Sequence, residues 1–292
     1  MKKIILSADS TCDLGDELKQ SYGVHYYPFH IILEEKDYQD NVDITPEEIF
    51  DRFYKKKVLP RTAAINVQEY LDYFRPFVEQ GYEVIHLNLG SALSSAHQNC
   101  VLAAKELGHV YPVDSGNLST GIGHLVLDAG EMLKTGKYSA EEIAGILTRR
   151  RKNVHSSFIL DTLKFMSAGG RCSSVAALGA NLLNMKPCIE VDNFSGAMNV
   201  GKKYRGSLKK VLPAYVKDQL HRYGKISRDK IFITHSGIDE EMICLVKEKI
   251  QEEMEFKNIY VTRASCTISC HCGPNTLGIL FESEDGHEDF NC

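Results

Sequence analysis

Glu83-Val84-Ile85-His86-Leu87-Asn88-Leu89-Gly90-Ser91-Ala92-Leu93-Ser94 is the stretch on which the fold class turns. Glu83 to Leu89 is strand-like, Gly90-Ser91 breaks the run, and Ser94 is placed to cap a helix that follows. A strand feeding a helix is the repeating unit of a parallel sheet. Upstream, Asn66-Val67-Gln68-Glu69 starts a helix with an Asn cap and a Glu three residues on, which is half of a capping box. Thr45-Pro46-Glu47-Glu48 is a full box with Pro at the first helical position, opening a helix through Phe53. Val24 to Leu33 is extended, with Pro28 at an edge or bulge. Lys2 to Ser7 is a first strand ending in polar Asp9-Ser10-Thr11. Downstream, His109 to Val113 is a strand leading into Asp114-Ser115, followed by a helix from about Leu118 to Leu133. Ser139-Ala140-Glu141-Glu142 caps one more helix, which ends in Arg149-Arg150-Arg151-Lys152. The alternation predicts a parallel sheet covered on both faces, with ligands off the carboxyl ends of its strands.

From Val154 the texture changes. Ser157–Leu160, Cys188–Val191, Lys230–Thr234, Ile259–Ala264 and Leu277–Glu282 are strand-like, and a hairpin is expected around Asp192-Asn193-Phe194-Ser195-Gly196. A boundary near 152 divides a parallel N-terminal α/β/α domain, 1–152, from a mixed-sheet α/β domain, 153–292. The length of 292 residues fits two such units.

Composition narrows the function classes. Hydrophobic residues make up 43% of the chain and charged residues 25%, which excludes a fibre or a disordered polymer. The net charge of −5 argues against a general polyanion binder. No run approaches the ~18 apolar residues of a membrane span. Met1-Lys2-Lys3 with Ile4-Ile5-Leu6 imitates a leader, but Asp9 ends the apolar run too soon. Nine cysteines at irregular spacings read as reduced thiols, and a cytoplasmic location is expected.

Several motifs fall short. No Ser has Gly at both −2 and +2, no His-Glu-x-x-His occurs, and Gly121-Ile122-Gly123 does not extend to a dinucleotide fingerprint. Gly196 to Lys203 misses a phosphate loop because Lys203 stands where Ser or Thr must hold magnesium. Cys266, Cys270 and Cys272, with His271 among them, read first as buried or partly buried free thiols that hold no metal, with a zinc hydrolase as the alternative. If that segment is extended, alternate residues lie ~6.6 Å apart, whereas two thiolates on one zinc are only ~3.8 Å apart; a turn before Gly273-Pro274 could close the gap. Between Lys202 and Lys230 lie ten basic residues and two acidic ones, read as a solvated face first, then as a dock for an acidic partner, then for nucleic acid. Ser94 at a strand-to-helix junction is the most informative candidate, since a helix N-terminus and a cap hydroxyl together bind anions.

Seven segments, in order, resemble the DegV family: Ser7-Ala8-Asp9-Ser10-Thr11-Cys12-Asp13-Leu14, Leu93-Ser94, Val113-Asp114-Ser115 with Gly121 and Gly123, Asp161-Thr162-Leu163 with Gly169-Gly170-Arg171, Asn184-Met185-Lys186-Pro187, Lys203-Tyr204-Arg205-Gly206, and His271-Cys272-Gly273-Pro274. The resemblance implies a two-domain α/β protein with a buried tunnel for a long-chain fatty acid and no catalysis or cofactor of its own. It further implies that the bound carboxylate is presented to a bacterial fatty acid kinase, which makes an acyl phosphate, with neither nucleic acid nor stable membrane insertion involved. The implied ligand-binding residues are Thr62, Ser94, Ser95, Arg171 and His271, with Arg171 and His271 supporting phosphotransfer at the tunnel mouth. The sequence departs from the family pattern at Ala63, Ala64, Ser95, Ala96 and Asn275.

Overall fold

The structure, a computed structural model, describes residues 3–176 and 185–284. Lys2 of the first expected strand and Asn184 of the fifth family segment lie outside them. The first half builds a four-stranded sheet from β1 (Ile4–Asp9), β2 (His25–Tyr27), β6 (Glu83–Asn88) and β7 (Val110–Asp114), in the order β2-β1-β6-β7 and parallel throughout. Helices α3 (Val67–Glu79) and α4 (Ala96–Leu107) cover one face, and α5 (Thr120–Thr135) and α6 (Ala140–Arg150) the other. Pro28 does more than mark an edge. Lacking an N–H to continue the ladder, it stands between β2 and β3 (His30–Leu33), and β3 joins a separate antiparallel sheet with β4 (Lys36–Gln39) and β5 (Arg61–Ala63). That small sheet packs on α2 (Pro46–Lys56) through Ile31, Leu33, Ile49 and Phe50.

The capping signals of Thr45 and Ser139 form as read. Asn66 gives a complete box where half was expected, because Glu69 Oε2 reaches back to the Asn66 N–H at 2.7 Å. The helix after β6 starts later than expected. A turn over Ser91–Leu93, closed by Leu93 N–H to Gly90 O, makes Ser95 the cap of α4. Ser94 Oγ accepts the Ala96 N–H at 3.2 Å from just outside the helix.

The second half is a six-stranded mixed sheet in the order β10-β9-β8-β13-β11-β12: β8 (Val154–Ile159), β9 (Met185–Val191), β10 (Met198–Arg205), β11 (Ile226–His235), β12 (Asn258–Arg263) and β13 (Leu277–Ser283). Only β11 and β12 pair in parallel. The expected hairpin is the antiparallel β9–β10 pair, so the loop-like Gly196–Lys203 segment runs into a strand. Two helices that the strand-like reading did not include, α9 (Leu208–Leu220) and α10 (Glu240–Glu253), cover one face. Shorter helices α1 (Gly15–Ser21), α7 (Lys164–Gly169), α8 (Ser173–Ala176) and α11 (Cys266–Cys272) complete the described chain.

Strand alternation sends neighbours to opposite sides. Ile159, Ile233 and Phe281 meet α9 and α10, while Phe158, Phe232 and Leu280 join the core of the first half. Helix α5 lies between the two sheets, in contact with β1, β6, β8 and β13. Gly121 and Gly123 permit that position. A Cβ at 121 would lie 2.2 Å from Asn117 Oδ1, and one at 123 would lie 2.8 Å from Leu14 Cδ2.

Three basic residues of the stretch from Lys202 are engaged in ion pairs: Lys202–Asp218 at 2.6 Å, Lys209–Glu241 at 2.5 Å and Arg222–Glu190 at 2.5 Å. Lys230 is no part of a solvated face. It is buried, 2.9 Å from Asp128 and 3.1 Å from Glu282, because α5 packs over that end of β11. Among the described residues no helix is long and apolar enough to cross a membrane.

Candidate functional site

Where the parallel sheet, the small sheet and α11 meet lies a cavity of about 160 Å³. Its walls are apolar: Phe29, Ala64, Leu89, Leu93, Met166 and Met198 among others. Its polar groups are few: Thr62 on β5, Ser94 and Ser95 before α4, Thr267 and His271 on α11, and Arg171 after α7. An apolar cavity with a small polar cluster is the usual form of a small-molecule site. All five sequence-predicted residues line it.

They do not play equal parts. Thr62 Oγ1 and His271 Nε2 are 2.9 Å apart, joining residues 209 positions distant in the chain. Burial, and less strongly the nearby Arg171 guanidinium, lowers the His271 pKa to about 4, so the ring is neutral at pH 7. His271 Nδ1 is buried without a hydrogen-bond partner, facing Gly169, where a Cβ would sit 2.2 Å from it. With Nδ1 as the unpaired acceptor, the Nε2–H donates to Thr62 Oγ1, and the Thr62 O–H is left to point elsewhere. Ser94 is half-buried and Ser95 exposed. Arg171 is exposed, with its guanidinium donating to Gly169 O at 2.6 Å. His271 therefore sits in the cavity wall beside Thr62, whereas Arg171 stands at the rim.

The segment read as extended or turned is helical, which alters the geometry of its cysteines. Cys266 Sγ donates to Ile44 O at 3.2 Å, and Cys270 packs with Phe50 and Phe165 under the small sheet. Cys272 faces the cavity. Burial pushes all three thiols up, which disfavours the thiolate that ligation or nucleophilic attack requires. Among the described residues, no three His, Cys, Asp or Glu side chains gather as metal ligands.

A second, much smaller cavity, about 20 Å³, adjoins the first and shares Leu118, Ile268 and Cys272 with it. Sequence reasoning missed it. Its lining includes Ser119, Ser157, Thr234, Ser236 and Thr276, yet each hydroxyl is bonded within the protein: to Asp13, Tyr215, Thr120 and Thr262, Gly273 O, and Cys272 O, respectively. With those groups engaged elsewhere, the chamber is apolar in effect. Among the departures from the family pattern, Asn275 adopts φ +59° and donates to Asp161 Oδ2 at 3.1 Å.

Residues 3–284 match the family model of the DegV family of uncharacterised proteins. A DegV domain-containing protein of Clostridium perfringens is 29% identical over 97% of this chain and 100% of its own length. A DegV family protein from Thermus thermophilus, described for its fatty acid binding, superposes with a TM-score of 0.87 at 29% identity, covering 96% of this chain and 99% of that one. DegV of Bacillus subtilis, described as a fatty acid binding protein, superposes at 0.81 with 25% identity over 97% and 99% of the two chains. With the family match running through both sheets and every residue around the cavity, the chain belongs to the DegV family.

Proposed function

We propose that the chain binds a long-chain fatty acid with its carboxylate at Thr62 and Ser94, beside His271, and its acyl chain running past Leu118, Ile268 and Cys272 towards the second cavity. The observation that carries this reading is the pairing of Thr62 with a neutral His271 at the polar end of an otherwise apolar cavity. The fatty acid binding described for relatives from Thermus thermophilus and Bacillus subtilis supports it. Burying a methylene is worth ~0.8 kcal/mol, so a long acyl chain supplies on the order of 10 kcal/mol before association costs. The head group then needs only neutral donors. The Thr62 hydroxyl, freed by the His271 N–H, is one, and Ser94 is a second.

In this reading the protein is a carrier without catalysis or cofactor of its own. A partner kinase places the γ-phosphorus of a nucleoside triphosphate against the exposed carboxylate oxygen. The new P–O bond forms as the bond to the diphosphate breaks, giving an acyl phosphate. Arg171, whose planar fork suits phosphoryl oxygens, meets the added charge at the rim. Denaturing the purified protein, extracting it with organic solvent and analysing the extract by mass spectrometry tests the first step. A stoichiometric long-chain fatty acid supports the reading; an extract empty of lipid, together with failure to take up added oleate, overturns it.

A further inference from the structure

Helix α11 carries Thr267, Ile268, His271 and Cys272 to the cavity, yet it has only seven residues. A helix that short does not persist by itself and must be held by its surroundings. Two buried carboxylates hold its start. The Ser265 N–H donates to Asp13 Oδ1 at 2.9 Å, and the Cys266 N–H to Asp40 Oδ1 at 2.7 Å. The second oxygen of each carboxylate reaches a different wall of the site. Asp13 Oδ2 accepts from Ser119 Oγ at 2.6 Å, at the start of α5 and on the second cavity. Asp40 Oδ2 accepts from Ser10 Oγ at 2.7 Å, and Ser10 Oγ in turn accepts the N–H of Phe29, which lines the first cavity, at 3.1 Å.

Neither Asp13 nor Asp40 forms an ion pair among the described residues, although both side chains are almost wholly buried. Buried carboxylates without a cation are costly. Burial raises Asp13 to about 7 against the hydrogen bonds it accepts. Packing alone would be served better by apolar residues of similar size. What the carboxylates supply is direction: Asp13 fixes the N–H of the capping residue Ser265 and Asp40 that of Cys266, and five residues beyond Cys266 the helix must deliver His271 Nε2 to within 2.9 Å of Thr62 Oγ1.

We infer that Asp13 and Asp40 are positioning residues of the head-group site, tying the start of α11 to both cavity walls so that His271 meets Thr62. The inference rests on the fatty-acid reading for its purpose, but its geometry is testable without lipid. The variants are Asp13→Ala and Asp40→Ala, with Asp13→Asn and Asp40→Asn as conservative partners that keep the accepting oxygen. The first readout is the titration of His271 followed by NMR in the lipid-free protein. The Ala variants are expected to move its midpoint from about 4 towards the ordinary 6.5 as the ring loosens, and the Asn variants to recover most of that shift. The second is oleate affinity in a double-substitution cycle: Asp40→Ala weakens binding at least fivefold in the wild-type background and less than twofold once His271 is Gln.

An unmoved His271 midpoint in both Ala variants overturns the inference, as does full additivity with His271→Gln. Should the Ala variants fail to fold, Ser10→Ala and Ser119→Ala each remove one outer hydrogen bond and must shift the midpoint in the same direction; no shift refutes it. A wild-type protein that binds no oleate defeats the functional reading alone, because the titration still decides the positioning.

Discussion

Replacing Thr62 with Val removes one hydroxyl and keeps the shape, which makes it the sharpest probe of the head-group end. His271 Nδ1 already lacks a partner, so the loss of Thr62 Oγ1 leaves both ring nitrogens unpaired beside a cavity. Orphaning a buried polar group costs ~1–3 kcal/mol, and the half-exposed setting of Thr62 favours the low end. For a chain of 292 residues, ~1 kcal/mol corresponds to a fall of only ~2 °C in Tm. The larger effect falls on the ligand. A hydrogen bond to a charged group contributes ~1.5–3 kcal/mol, so oleate affinity should fall roughly 10- to 150-fold. The two numbers separate binding from folding: a small shift in melting, a large one in a fluorescent fatty-acid displacement assay. Thr62→Ser keeps the hydroxyl and should stay within about threefold of wild type. If Thr62→Val binds oleate as tightly as wild type, or Thr62→Ser loses as much as Thr62→Val, the hydroxyl does not hold the carboxylate and the reasoning fails.

Three further outcomes follow from the same geometry. His271 has a folded pKa of about 4 against ~6.5 unfolded, so its neutral form contributes stability that is complete above pH ~6.5 and is lost as pH falls towards 4; the contribution is at most ~3 kcal/mol, and it should appear as a pH-dependent difference between wild type and His271→Gln in denaturant titrations, where other titrating groups such as Asp13 cancel. Ile268→Trp fills the passage between the two cavities, so binding of C16–C18 acids should fall at least tenfold, or ~1.4 kcal/mol, while that of octanoate changes little; equal losses for both would show that the chain does not pass there. Protein purified without chelator should carry well under one zinc per chain by elemental analysis, since the Cys266, Cys270 and Cys272 thiols are pushed up by burial, and stoichiometric zinc lost on mutating Cys270 would contradict that.

The parallel half of the fold was legible because its signals are local. Thr45 and Ser139 announce helices through side chains that bond three residues ahead, and β6 is apolar enough to read as a strand. The small sheet that carries Thr62 was not legible. Its strands are three or four residues long, and the turn from β3 to β4 is made by Glu34 and Glu35 at φ +50° and +65° in place of the Asn-Gly that announces such turns. Helix α9 hid behind Pro213, which lies inside it. Helix α10 carried a readable signal, Asp239 before Glu240 and Glu241, that the strand-rich surroundings masked. In α11, Thr and Ile among cysteines weigh against a helix on propensity, and tertiary hydrogen bonds donated to Asp13 and Asp40 override that preference. No spacing rule links Thr62 to His271 across 209 residues; the family resemblance put both among the site residues, and the structure adds the contact between them.

The distribution of charge around the cavity has a consequence for the proposed chemistry. A guanidinium clasping both carboxylate oxygens would bind a fatty acid strongly and blunt it as a nucleophile. Here the groups within the cavity wall are hydroxyls and an imidazole whose pKa of about 4 leaves only about one molecule in a thousand charged at pH 7. The guanidinium of Arg171 is turned to a backbone carbonyl at the rim. Affinity in such a site comes from the buried chain, whose contribution grows with each methylene, and that energy is indifferent to what happens at the head. Reactivity is then set separately, by neutral donors that orient the carboxylate without neutralising it. In the proposed transfer the cation would enter only when a phosphoryl group adds charge beyond the rim, so Arg171 would act on the transferring group and not on the resting ligand. That ordering concentrates electrostatic stabilisation where charge develops, which is the condition for lowering a barrier and not merely tightening a complex.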